Sequence, residues 1–120
     1  MEGTNIGQES RPSIKVYFDG DSLTVSDFMS VLLGIEEEGI PYDVQEVHDS
    51  DVLELAYRAS LDSRLGVGVG ISKEGIVLQY EKLDKAAPLF RIKLYQREFF
   101  RSIGANAARL VKKMPFKALK

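Results

Sequence analysis

The run LGVGVGI at Leu65–Ile71 constrains the fold of this chain more than any other feature of its sequence. Every residue in it is apolar or glycine, which is typical of a strand at the centre of a sheet with both faces covered. Glycine at alternate positions leaves one face of the strand bare, and this favours a helix packed close against it. A dinucleotide-binding loop would need G-x-G-x-x-G between a strand and a helix. Here a turn, Ser72–Gly75, follows, so the run predicts a central strand and no nucleotide site.

The remaining elements follow from periodicity and from cap and turn signals. Thr24-x-x-Asp27 and Asp51-x-x-Glu54 are typical of helix starts, and Gly39–Pro41 ends the first helix. The predicted strands are Ile14–Phe18, Tyr42–Val47, Leu65–Ile71, Ile76–Tyr80 and Leu89–Tyr95, and the predicted helices are Val25–Glu38, Asp51–Ser60 and Glu98–Lys113. This order predicts a single three-layer α/β domain with a mixed, mainly parallel sheet over residues 14–120, after a flexible leader at residues 1–13.

Composition excludes several classes of protein. The chain has no cysteine and one histidine among its 120 residues, so disulfide scaffolds, thiolate metal sites and most zinc sites are excluded. No apolar run approaches the ~20 residues that span a bilayer. We therefore expect a soluble cytoplasmic domain without a membrane partner.

Charge is divided unevenly along the chain. Residues 1–80 carry 15 acidic and 5 basic residues, whereas residues 81–120 carry 3 acidic and 11 basic ones. Such asymmetry indicates either a docking or nucleic-acid surface or two segments that fold against each other. The basic residues are interleaved with apolar ones, as in LFRIKLYQ, and the stacking aromatics of RNA-binding domains are missing. The pattern therefore favours mutual packing and predicts no nucleic-acid partner.

Two acidic groups are candidate sites. The first follows the first two strands, at the edge of a parallel sheet where ligands commonly bind, and comprises Asp19, Asp21, His48, Asp49 and Asp51. A hard-metal or acid–base site could be built there, although aspartate is also the ordinary residue of loops and caps.

The second group, Glu36–Glu38, closes the first helix, where the helix dipole already presents negative charge. A helical wheel places Glu36 near the middle of the apolar arc set by Val25, Phe28, Met29 and Leu32, with Glu37 on its flank. No basic residue lies four positions away. Either the cluster is a solvated helix end, or a cation or a basic partner surface offsets its charge.

The last helix carries small residues at Gly104–Ala108. A glycine inside a helix costs about 1 kcal/mol relative to alanine, so close packing against the sheet or another subunit is its expected compensation. Phe99, Ile103, Ala107, Leu110 and Met114 form one apolar stripe on this helix.

Together these segments resemble the small subunit of diol/glycerol dehydratase-reactivating factors, a family similar to the medium subunit of the dehydratase. The resemblance runs in order through residues 14–118. It is carried by LGIEEEGIP at Leu33–Pro41, LGVGVGI at Leu65–Ile71, APLF at Ala87–Phe90 and GANAARLVK at Gly104–Lys112.

This resemblance implies a non-catalytic subunit that works with a large, chaperone-like ATPase subunit, in a complex of two large and two small subunits. The factor frees damaged cobalamin from adenosylcobalamin-dependent diol or glycerol dehydratase by subunit exchange. A glutamate of the small subunit helps hold a divalent metal, magnesium, at the boundary with the large subunit. On the GIEEEG motif this residue is Glu37, whereas the helical wheel singles out Glu36, so both stay open as the ligand.

Two other functions remain possible on the sequence. One is the medium subunit of the dehydratase itself, which is longer than this chain. The other is a small flavodoxin-like enzyme or ligand-binding domain that uses the Asp19/Asp49 edge. The sequence leaves open which dehydratase is the client and whether the chain enters a bacterial microcompartment.

Overall fold

A computed structural model describes residues 11–119 of the chain. Its strands are β1 (Ile14–Asp19), β2 (Tyr42–Val47), β3 (Val67–Ser72), β4 (Gly75–Tyr80) and β5 (Phe90–Ile92). Its α-helices are α1 (Met29–Glu37), α2 (Val52–Asp62) and α3 (Phe100–Lys112), and short 3-10 turns at Val25–Phe28 and Arg97–Phe99 lead into α1 and α3. The predicted order of strands and helices is confirmed.

The strands form one mixed sheet in the order β2-β1-β3-β4-β5. β1 pairs in parallel with β2 and with β3, whereas the β3–β4 and β4–β5 pairings are antiparallel. Over residues 11–119, β4 is thus the one strand that runs against the other four. β3 is fully buried at the centre of the sheet, as its apolar run predicted.

Helices cover both faces of the sheet, which makes the predicted three layers. On one face, Val16 and Val69 share a buried cluster with Val31 of α1 and Ile103 of α3. On the other face, Leu55 of α2 packs on Tyr17. Alternate residues of β1 thus point to different layers, as the period of a strand requires.

The glycines of β3 allow α2 to lie directly on the sheet. A Cβ at Gly68 would be 2.2 Å from the backbone nitrogen of Ser60, and one at Gly70 would be 2.5 Å from that of Ala56. Both distances are too short for any side chain, so the predicted role of these glycines is confirmed. Gly66 is different, because it precedes β3 and has a φ of +75° in the preceding turn.

Several strand boundaries predicted from the sequence are wrong. β3 begins at Val67 rather than at Leu65. Ser72 pairs with Gly75, so the β3–β4 hairpin has a two-residue turn, Lys73–Glu74, in place of the predicted four-residue connection. The fifth strand ends at Ile92 rather than Tyr95. It stops there because the chain turns at Lys93, whose N–H donates to the Gln96 side-chain oxygen at 2.8 Å.

The helix boundaries in the structure differ by a few residues from those predicted from the sequence. The first helix begins with a 3-10 turn and becomes α-helical only at Met29, although Asp27 accepts the predicted capping bond from the Thr24 N–H at 2.8 Å. Asp51 caps α2 as predicted, accepting from the Glu54 N–H at 3.2 Å, and α2 continues to Asp62, past the predicted end at Ser60. Among residues 11–119 no helix combines the length and apolarity needed to cross a membrane.

The predicted leader is described only in part, since residues 1–10 lie outside the described range. Residues 11–13 contact the edge of the sheet. Arg11 lies 3.6 Å from Asp43, and the Ser13 hydroxyl donates to the same carboxylate at 2.5 Å. Ser13 is itself buried, and its carbonyl accepts from the Ser63 hydroxyl at 2.7 Å.

Candidate functional site

α1 and α3 pack side by side with little separation at two glycines. A Cβ at Gly34 would lie 2.2 Å from the Arg101 carbonyl oxygen, and one at Gly104 would lie 2.0 Å from the Val31 carbonyl oxygen. Each glycine therefore faces the backbone of the opposite helix. Close packing at Gly104 is present as predicted, but its partner is α1 of the same chain and not the sheet or another subunit.

This packing brings the basic face of α3 against the acidic end of α1, by which we mean Glu36–Glu38. Arg101 donates from Nε to both carboxylate oxygens of Glu37, at 3.1 and 3.0 Å, and also from Nη2 to Oε2. The hydrogen bond from the Arg101 guanidinium holds the pKa of Glu37 below its usual value. About half of the Glu37 side chain (49%) nevertheless remains exposed. It is an ionised, accessible carboxylate whose oxygens already have a cationic partner.

Glu38 is held more firmly than its neighbours. Its carboxylate accepts from Lys112 Nζ at 2.8 Å and from Arg109 Nε at 3.2 Å, and its carbonyl accepts from Lys112 as well. Only 14% of its side chain is exposed, and the Lys112 and Arg109 hydrogen bonds lower the pKa of the carboxyl. Glu38 therefore joins the two helices.

Sequence reasoning missed these basic partners, since it looked for them four residues away on the same helix. They come instead from α3, more than sixty positions along the chain. The one signal of their presence is the charge division between residues 1–80 and 81–120. The structure confirms the interpretation that the two segments fold against each other.

Glu36 behaves differently from its neighbours. It is exposed and has no ion-pair partner among residues 11–119. The wheel that placed it within the apolar arc is wrong, because that arc was drawn through Met29, which is exposed, and not through Val31 and Ile35, which are buried. Met29, part of that arc, is 44% exposed, and the residues of α1 that are buried are Val31, Leu32, Gly34 and Ile35.

A shallow groove of about 350 Å³ lies beside Glu36. Arg11, Ile40, Pro41 and Tyr42 line it together with Glu36 and Gly39. Burial, and secondarily the Glu36 charge, raises the pKa of the Tyr42 hydroxyl. The acidic end of α1 thus has one exposed carboxylate that binds Arg101, Glu37, and one without an ion-pair partner in residues 11–119, Glu36. Beside them lies a groove lined partly by apolar residues, and this combination is suited to docking.

The described residues do not form a complete metal site of their own. Nowhere in residues 11–119 do three His, Cys, Asp or Glu side chains gather in a way that could hold a metal ion. An ionised carboxylate such as Glu37 is a suitable oxygen ligand for a hard divalent cation. Glu37 alone could supply only one of the several oxygen ligands that such an ion needs.

The side chains of the other predicted site, at the ends of β1 and β2, are engaged in local hydrogen bonds. Asp19 is buried and accepts from the Asp21 N–H and the Ser22 hydroxyl, both at 3.0 Å. His48 Nδ1 lies 2.9 Å from Asp21, which raises the pKa of the imidazole. Asp49 accepts from the Asp51 N–H at 2.9 Å, before the helix that Asp51 caps. These side chains shape turns and a cap and do not form a metal-binding cluster.

The GANAARLVK segment has a structural role that the sequence did not reveal. Asn106 is fully buried and donates to the Lys117 carbonyl at 2.9 Å while accepting from the Lys117 N–H at 2.6 Å. Arg109 donates to the Pro115 carbonyl at 3.1 Å. The chain beyond α3 is thereby held against the domain, with Phe116 packed edge-on against Phe90 of β5.

Comparison with known proteins supports one family. The sequence profile of the dehydratase medium subunit matches residues 11–117. The propanediol dehydratase-reactivating factor small subunit of Citrobacter freundii is 52% identical over 89 residues, which cover 72% of this chain and 76% of that one. The diol dehydratase-reactivating factor small subunit of Klebsiella michiganensis is 40% identical over 116 residues, covering 94% and 90%.

Solved structures agree with this assignment. A chain of a glycerol dehydratase reactivase superposes with a TM-score of 0.84 at 29% identity, covering 90% of this chain and 98% of its own length. A chain from a diol dehydratase-reactivating factor complexed with ADP and Mg²⁺ has a TM-score of 0.83 at 39% identity, covering 91% and 100%. The chain described here therefore belongs to the dehydratase medium subunit family and, within it, to the small subunits of dehydratase-reactivating factors.

Proposed function

We propose that this chain is the non-catalytic small subunit of an ATP-dependent, chaperone-like reactivating factor. The factor frees damaged cobalamin from adenosylcobalamin-dependent diol or glycerol dehydratase by subunit exchange. The observation that carries the proposal is the match along nearly the full length of solved reactivase chains, together with a body that resembles the dehydratase medium subunit. A chain of this shape could take the place of that subunit in a complex.

The proposed partner is a large ATPase subunit, in a cytoplasmic assembly of two large and two small subunits. We place the contact at the acidic end of α1, because it combines exposed carboxylates with a groove of about 350 Å³ lined partly by Ile40, Pro41 and Tyr42. ATP hydrolysis then belongs to the large subunit. Residues 14–120 would act as a single domain in this assembly.

Glu37 is the proposed ligand of a divalent metal, magnesium, shared with the large subunit. Such an ion would supply positive charge at the boundary between the two chains, and Glu37 would be the residue of this chain that holds it. Two features of Glu37 support the assignment: about half of its side chain (49%) is exposed, and its pKa is lowered so that it is ionised. Glu38 is less suited, since Lys112 and Arg109 already hold it. Glu36, exposed and without an ion-pair partner in residues 11–119, is the alternative ligand.

The proposed exchange can be followed directly. Reactivase is mixed with inactivated dehydratase, with different nucleotides loaded on the large subunit, and subunit composition is measured by native mass spectrometry. We expect a complex of the large reactivase subunit with the dehydratase medium subunit, together with released corrinoid, in amounts that depend on the nucleotide. Release at full rate from a large subunit that lacks this chain would contradict the exchange role.

A further inference from the structure

A second groove lies at the opposite edge of the sheet from the acidic end of α1. Its volume is about 560 Å³, and it is lined by Lys73, Glu74, Arg91, Lys93, Leu94 and Tyr95. Lys73 belongs to the β3–β4 turn, and Lys93 and Tyr95 follow the end of β5. Glu37, by contrast, lies where the chain leaves α1 and enters the start of β2. Because β2, β3 and β5 run in the same direction, these surfaces face opposite ways.

The groove concentrates positive charge that the side chains of residues 11–119 do not neutralise. Lys73, Arg91 and Lys93 are exposed, and none has an acidic or aromatic partner within residues 11–119. Arg58, Lys85, Arg101, Arg109 and Lys112 each lie within 3.7 Å of a carboxylate. Lys82 and Lys113 also have no acidic partner within residues 11–119, but neither lies in the groove, so the groove is distinguished by gathering three such cations in one place. The one carboxylate in the groove, Glu74, accepts from the Val52 N–H at the start of α2, at 3.1 Å.

Strand pairing and a hydrogen-bonded turn fix the backbone that carries these three cations. Arg91 pairs with Val77 in the β4–β5 ladder, and Val77 is buried beneath α2, so the Arg91 side chain projects on the α2 face of the sheet. Lys93 follows two positions later, beyond the strand. The turn that carries Lys73 is fixed by the Ser72 hydroxyl, which accepts from the Glu74 N–H at 3.0 Å and donates to the Ser50 carbonyl at 2.8 Å.

Tyr95 places an exposed aromatic ring beside these cations. It is 79% exposed, the largest exposed fraction among the large hydrophobic side chains of residues 11–119. Tyrosine and arginine are enriched at protein–protein interfaces, where an aromatic ring supplies contact area and cations supply electrostatic complementarity. An isolated small anion would use the cations but not the ring.

We infer that this groove, lined by Lys73, Arg91, Lys93 and Tyr95, is a second docking surface that binds an acidic segment of another protein. Carboxylates of that segment would pair with the three cations while its backbone or apolar atoms cover the Tyr95 ring. The surface is separate from the Glu37 site, so this chain could hold two proteins at once. The inference does not depend on the proposed metal ligand.

The test measures binding of a fluorescein-labelled deca-glutamate peptide to the full chain by fluorescence anisotropy, at about 150 mM salt to screen weak long-range attraction. Arg91→Ala combined with Lys93→Ala should weaken binding about tenfold, since two exposed ion pairs are lost. The matched control, Lys82→Ala with Lys113→Ala, removes the same charge from unpaired lysines outside the groove and should change affinity less than about twofold. Tyr95→Ala leaves the charge unchanged and should weaken binding about threefold.

Several results would overturn the inference. Equal losses in the two double variants would show that net charge alone attracts the peptide. If Tyr95→Ala binds the peptide as tightly as the unaltered chain, the Tyr95 ring makes no contact with the peptide. The feature that favours a protein segment over a small anion would then be absent. Displacement of the peptide by inorganic phosphate at constant ionic strength would indicate an anion site, and tighter binding of oligouridine would indicate nucleic acid. Absence of peptide binding by the unaltered chain would also contradict it. Circular dichroism of every variant shows whether it is folded. Association of each groove variant with the large subunit should be unchanged, which separates failure of this inference from failure of the Glu37 proposal.

Discussion

Arg101 of α3 and Glu37 of α1 form a two-nitrogen contact, with Nε at 3.1 and 3.0 Å from the two carboxylate oxygens and Nη2 bound to Oε2. The guanidinium orients the carboxylate at the end of the helix. It also neutralises charge that would otherwise oppose the helix dipole. A divalent cation at Glu37 would have to compete with Arg101 for the same oxygens.

The first prediction concerns the identity of the metal ligand. Glu37→Gln keeps the size and helix propensity of the side chain but removes the charge. We expect association with the large subunit to weaken about tenfold and to lose its dependence on magnesium, since a neutral amide is a poor ligand for a hard cation. Calorimetry of the two subunits with and without magnesium measures both effects.

Glu36→Gln and Glu38→Gln are the matched controls for this experiment. If Glu36 is the ligand, the loss of magnesium dependence will follow Glu36→Gln and not Glu37→Gln. Equal small effects from all three substitutions would indicate that the acidic end of α1 is only a solvated helix end.

The second prediction is a pH dependence of stability. The pKa values of Glu37 and Glu38 are lowered from 4.5 by their basic partners on α3. Depressed folded-state values mean that the stabilisation is fully present above the unfolded pKa and is lost as pH falls through the folded one. The free energy of unfolding should therefore fall on acidification below about pH 4.5.

Urea denaturation between neutral and acid pH measures this dependence. The Glu37→Gln/Glu38→Gln double variant has neither titrating group and should show a shallower fall over the same range. An identical slope in both proteins would place the acid sensitivity in other carboxylates.

The third prediction tests the close packing of α1 on α3. Gly104→Ala would place a Cβ 2.0 Å from the Val31 carbonyl oxygen, and this backbone atom cannot move without displacing α1. We expect a loss of about 2–3 kcal/mol in the free energy of unfolding. Gly20→Ala is the control, because the three atoms nearest to its Cβ would all belong to the Glu46 side chain, which can rotate away. Comparable losses in the two variants would argue against tight helix contact.

The fourth prediction concerns Asn106, which holds the chain after α3. Asn106→Ala removes both hydrogen bonds to the Lys117 backbone and should cost about 1–3 kcal/mol. Trypsin should then cleave more rapidly at Lys113 and Lys117, as mass spectrometry of timed digests would show. Gln45→Ala, at an exposed amide of β2, should leave the cleavage rate unchanged. Unaltered protection in Asn106→Ala would show that the Arg109 hydrogen bond to Pro115 and the packing of Phe116 retain the segment without Asn106.

Local signals predicted most of the fold. The all-apolar β3 and its glycines indicated a central strand under a helix, because alternation and the missing Cβ are properties of the residues themselves. The Asp51 cap and the stop at Gly39, with its φ of +80°, also depend only on neighbouring residues. Predicted boundaries were wrong at β5 and at the β3–β4 hairpin, where side-chain hydrogen bonds and strand pairing decide where a ladder ends.

At the candidate site, some features follow from the sequence and others only from the tertiary structure. From its sequence alone, the chain determined an acidic helix end, a basic last helix and a resemblance that pointed to Glu37. The sequence did not determine that Arg101 binds Glu37, that Lys112 and Arg109 bind Glu38, or that Glu36 is left exposed. Those outcomes depend on which face of α1 is buried against the core and on the close approach of the helices at Gly34 and Gly104. Residues distant in the chain meet only when the sheet and its core set the positions of both helices, so their pairing is a property of the tertiary structure.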